Sequence, residues 1–65
     1  MNIYINAENG EEELQLSEFC DRYGLNEAEV LEVMEKENIS VYDSIMFLRP
    51  KYYINWLGQL VVSED

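Results

Sequence analysis

The sequence has no histidine, one cysteine, one proline, three glycines and four basic residues. Each shortage excludes something. Without histidine, a Ser-His-Asp or Cys-His catalytic device cannot be built. Without histidine or a cysteine pair, zinc lacks its preferred ligands. One cysteine, Cys20, cannot form an internal disulfide, which fits a reducing, cytoplasmic setting. Cys20 has Glu18 and Asp21 for neighbours and no histidine to activate it, so a small buried hydrophobe is expected rather than a reactive thiol. With so few glycines there is no glycine-rich phosphate loop, and the acidic stretches lack the spacing of an EF-hand. Carboxylates are plentiful, but 65 residues leave little room for a pocket that would raise a pKa. A non-enzymatic protein with neither metal nor cofactor is therefore expected. No apolar run approaches the ~20 residues that cross a bilayer. The start MNIYINAENG has no basic segment followed by an apolar one, so no signal peptide is expected.

What is present is apolar residues and acid. The hydrophobic fraction is 48%, enough for one small folded domain. The net charge is −10, from 14 acids against 4 bases. Twelve of the acids precede residue 49, whereas residues 49–65 balance Arg49 and Lys51 against Glu64 and Asp65. A field of this sign repels nucleic acid and anionic membranes and attracts basic surfaces.

Along the chain, NIYIN (2–6) has the β-branched and aromatic character of a strand. Asn9-Gly10 is a turn signal, and Glu13–Leu16 can pair back as a hairpin. Ser17 is placed to cap a short helix bearing Phe19, Cys20 and Tyr23 on its apolar side, stopped by Gly24. Asn26 is placed to cap a second helix running to about Glu37, with Asn38 as its terminator. Val30, Leu31, Val33 and Met34 form its apolar side. Glu29, Glu32, Glu35 and Lys36 lie opposite, with Glu32 and Lys36 as an i, i+4 pair. ISVYDSIMFL (39–48) has β-rich arms around Tyr42-Asp43-Ser44 and is expected to be a small hairpin. After Arg49-Pro50, residues Tyr53, Trp56, Leu57 and Leu60 fall at i, i+3, i+4 and i+7, which predicts a closing helix over 50–60 with Trp56 in the core. The rival reading of this segment is a hairpin, YYINWL with QLVVS, turning around Gly58. Tyr4, Tyr42, Tyr52, Ile54, Val61 and Val62 add more apolar surface than so short a chain is expected to cover, which leaves room for a homodimeric interaction module.

The stretch LQLSEFCDRYGLNEAEVLEVMEKENISVYDSIMFLRPKYYINWL, residues 14–57, resembles the small excisionase-like and MerR-like winged helix-turn-helix domains. The roles of helix opening, small crossing residue, turn glycine and apolar lock fall to Leu16, Ser17, Cys20, Gly24, Leu25, Val30 and Met34. The resemblance implies an α+β winged helix-turn-helix domain. Its parts would be an N-terminal strand and acidic turn (1–13), the helix-turn-helix (14–38), a wing hairpin (39–48) and a C-terminal helix (50–60). It also implies DNA binding, with the second helix in the major groove.

The chemistry of that second helix runs against DNA. NEAEVLEVMEKEN (26–38) carries five glutamates and one lysine, where side chains that pair with bases and phosphates are expected. Glutamates on an exposed helix also serve solubility. A sharper reading makes Glu27, Glu29, Glu32 and Glu35, with Glu11, Glu12 and Glu13, a surface for a basic, nucleic-acid-binding partner, the carboxylates standing in for phosphates. In size and charge the chain is similar to small acidic inhibitors of phages and mobile elements, such as anti-CRISPR and anti-restriction proteins. The first expectation is thus an acidic regulator or inhibitor acting by protein contact, a nucleic-acid mimic. The second is an excisionase-like DNA accessory protein using Arg22, Arg49 and Lys51.

Overall fold

The structure, a computed structural model, describes residues 3–7 and 13–63. The chain is α+β, with three helices and two small antiparallel sheets among the described residues. Strand β1 (Tyr4–Ile5) pairs with β2 (Leu14–Gln15), Tyr4 opposite Gln15 and Ile5 opposite Leu14. The expected N-terminal hairpin is therefore present. The Asn9-Gly10 turn lies outside the described residues, as do Glu11 and Glu12.

β2 runs directly into α1 (Leu16–Tyr23). Ser17 is not its cap. It lies inside the first turn, exposed, and the residue before the helix, Gln15, makes no side-chain capping bond. The Leu16 amide donates instead to the Ile3 carbonyl at 2.8 Å, so the paired strand supplies an acceptor that a serine side chain otherwise would. Gly24 closes the helix at φ 71°, and both its amide and that of Leu25 donate to the Cys20 carbonyl. A Cβ at Gly24 would meet nothing within 4 Å, so the demand there is for left-handed backbone and not for space.

Helix α2 (Glu27–Glu37) begins as expected, with Asn26 Oδ1 accepting from the amides of Ala28 at 2.9 Å and Glu29 at 3.3 Å. It ends at Asn38, in left-handed conformation at φ 54°, whose amide returns to the Met34 carbonyl. Among the described residues the ion pair on a helix surface is Glu18–Arg22 at 3.3 Å, and Glu32 and Lys36 form none.

Two expectations fail beyond this point. Residues 39–48 are not a wing hairpin. They hold a third helix, α3 (Val41–Leu48). Ser40 Oγ accepts from the Asp43 amide at 3.1 Å, and Asp43 stands in the first turn where the helix dipole favours an acid. Val41, Ser44, Ile45 and Leu48 fall at i, i+3, i+4 and i+7, and the first three are buried. Ser44 fits this inward face because its hydroxyl donates to the Ser40 carbonyl at 2.9 Å. Burial of that face outweighs the β preference of Val41, Tyr42, Ile45 and Phe47.

Residues 50–60 are likewise not a closing helix. The rival hairpin is the one observed: β3 (Tyr52–Ile54) pairs with β4 (Leu60–Val62), with Tyr53 opposite Val61. Arg49, before the proline, is extended at φ −134°, ψ 93°, as the proline ring requires of its predecessor, and the helix stops there. Gly58, at φ 78°, turns the chain back.

The core joins all these elements. Ile5, Phe19, Val30 and Ile45 are sealed from solvent, with Ala7, Leu16, Cys20 and Leu60 around them. Phe19 and Tyr23 of α1 stack with Tyr52 of β3, ring centroids 4.6–6.4 Å apart, fastening the hairpin base to the first helix.

The cap geometry gives a direct test. Ser40→Ala should cost about 1 kcal/mol, and Gly24→Ala about 1–2 kcal/mol for its left-handed backbone. Gly24→Asn should cost less than Gly24→Ala, since Asn38 already fills the same role at the end of α2. Urea midpoints at unchanged slope measure all three. A neutral Ser40→Ala would speak against the capped α3.

Candidate functional surfaces

The five glutamates of α2 are all exposed, but the four expected to meet a partner, Glu27, Glu29, Glu32 and Glu35, do not form one patch. Glu29, Glu32 and Glu35 follow one another at i, i+3 and i+6, and with ~100° per residue they fan around the helix from beside Val33, at Glu29, to the side opposite the buried pair, at Glu35. Glu27 stands apart. It is in the first turn, on the side toward α1, where its charge reaches Cys20. Glu13 is exposed just ahead of β2.

The helix dipole separates these acids further. Glu27 and Glu29 occupy the first turn and Lys36 the last, where the dipole stabilises each. Glu35 and Glu37 sit at the opposite end, among unpaired carbonyls, where a carboxylate is disfavoured. The helix dipole therefore accounts for two of the five glutamates, Glu27 and Glu29.

The basic residues are scattered. Arg22, in the last turn of α1, is paired to Glu18 through Nη2 at 3.3 Å. Arg49 ends α3, and its Nη1 donates to the Leu48 carbonyl at 3.2 Å. Burial pushes the Tyr52 phenol up in pKa, and the Arg49 guanidinium pulls the other way, which places that charge near the base of the hairpin. Lys51 is exposed beside it, and its carbonyl accepts from the Ser63 amide at 2.8 Å.

Cys20 is buried against the core. Burial pushes its thiol up, and the charges of Glu27 and Asp21 push the same way, so the thiolate is disfavoured. Among the described residues no three His, Cys, Asp or Glu side chains converge as a metal site, and no helix is long and apolar enough to cross a membrane.

Two surfaces escaped the sequence reading. The first is the β3–β4 turn. Trp56, expected in the core, is 90% exposed, and Leu57 beside it is 57% exposed. Its spacing with Tyr53 and Leu60 suits a helix, but that spacing carries no meaning in a hairpin, whose period is two. The turn is firmly built. Asn55 Oδ1 accepts from the amides of Leu57 and Gln59, both at 2.9 Å, and Asn55 Nδ2 donates to Gln59 Oε1 at 3.1 Å. The Gly58 amide returns to the Asn55 carbonyl at 3.0 Å, and the Asn55 amide donates to that of Gln59 at 2.9 Å. The signal for it was Asn55 three residues before Gly58, an Asx turn with its glycine.

The second is a groove of about 460 Å³ lined by Leu31, Met34, Glu35 and Ile39, at the C-terminal end of α2 and the turn into α3. Leu31, expected on the buried side, is 36% exposed on its wall. Phe47, 64% exposed, adds a separate apolar point on α3.

These placements make two measurable statements. Trp56→Ala should change stability by no more than about 0.5 kcal/mol, as an exposed site does, and acrylamide should quench the native tryptophan nearly as well as the urea-unfolded one. Cys20 should react with a disulfide reagent far more slowly in the native protein than in urea. Fast native labelling would contradict its burial.

Comparison of the chain with protein-family models, with curated proteins and with solved structures finds no match in any of the three.

Proposed function

We propose that this chain is a cytoplasmic, non-catalytic regulator or inhibitor that acts by protein–protein contact, with α2 turned toward a basic, nucleic-acid-binding partner. The observation that carries the reading is the exposed Glu29–Glu32–Glu35 stripe of α2, held on a helix capped at both ends. Side chains three apart on a helix are separated by ~4.5 Å along its axis and rotated by about 60° around it, so the three glutamates spring from a slanted row on a regular helix. Arginine engages carboxylate and phosphate in the same bidentate manner. A row of carboxylates therefore offers a nucleic-acid-binding surface the contacts it is built to make.

The dipole strengthens the case. Glu35 stands where α2 itself disfavours an acid, so its presence calls for a benefit outside the helix. Solubility alone would be served as well by glutamates placed elsewhere.

We infer also that α1, Gly24 and α2 correspond to the helix-turn-helix pair of the winged family that the sequence resembles, with β3–β4 in the position of a wing after α3. In this reading the scaffold is kept while the charge of its reading helix is reversed. Direct DNA binding is disfavoured because Arg22 is already paired, and Arg49 and Lys51 stand beside an acidic body.

The experiment compares two charge-matched variants. Glu29→Gln, Glu32→Gln and Glu35→Gln together should leave the fold intact and weaken binding to an arginine-rich peptide at low salt by about tenfold or more, the effect of losing 1.4 kcal/mol. Neutralising Glu18, Asp21 and Asp43 instead removes the same net charge and should weaken it far less. Equal losses would reduce the stripe to bulk charge. A gel-shift titration at low salt completes the test: sequence-specific retention of duplex DNA would favour the excisionase-like alternative, with Arg22, Arg49 and Lys51 as contacts.

A further inference from the structure

We draw no further inference here: the strongest candidate, the exposed Trp56–Leu57 tip of the β3–β4 hairpin, is an apolar surface patch, and nothing in the structure shows what covers it.

Discussion

The segment Ile3–Ala7 holds the molecule together. In five residues it bonds to three other parts of the chain. The Ile3 carbonyl accepts the first amide of α1, the Asn6 amide donates to the Tyr42 hydroxyl of α3 at 2.9 Å, and the Asn6 carbonyl accepts the Leu60 amide of β4 at 2.8 Å. Ala7 and Leu60 form a parallel bridge, and Ile5, between them, is wholly buried. Two-stranded sheets are marginal alone in water, and both sheets here have two strands. A strand that pairs with one and bridges to the other makes their stabilities interdependent. A chain of this size has little core to spare, so satisfying several polar groups on one half-buried segment is a large part of what fixes its fold.

This explains why the winged helix-turn-helix pattern covers only part of the organisation. The pattern spans residues 14–57 and leaves out both the Ile3–Ala7 segment and all of β4, which are the two segments that meet. Within it, the two helices expected on either side of Gly24 form, because local chemistry suffices there: an asparagine that accepts two amides, a glycine in left-handed backbone, and apolar residues three and four apart. Beyond Asn38, tertiary burial decides, and the order of elements departs from the one the resemblance implied. α3 turns its Val41–Ser44–Ile45 face inward, and Tyr42 offers its hydroxyl to the Ile3–Ala7 segment. Neither demand is visible in β propensity. The Ser40-x-x-Asp43 cap was visible, but it competed with a run of β-branched and aromatic residues that outnumbered it.

Trp56 shows a different limit. Four apolar residues at helical spacing are strong evidence only when the backbone is helical, and the same letters support a hairpin if a turn intervenes. Asn55 and Gly58 supplied that turn. Trp56 was expected inside on the strength of that spacing, so its burial goes with the helix, and most of the residues that fill the core lie upstream. The acidic stripe was legible in outline because charge periodicity on a helix is a local property. Its subdivision was not: that Glu27 leans toward Cys20 while Glu29, Glu32 and Glu35 fan away from it depends on where α1 packs.

The proposed partner contact and the fold rest on different physics. Glu29, Glu32 and Glu35 are exposed, so whatever they contribute to a basic partner is screened over a Debye length of ~8 Å at physiological ionic strength. The core of Ile5, Phe19, Val30 and Ile45 is sealed from solvent and apolar, and salt does not screen its burial. A helix whose inward face carries the fold and whose exposed face carries the charge can therefore lose its acids without losing its place, because the residues that hold α2 against the core are not the ones that a basic partner would meet.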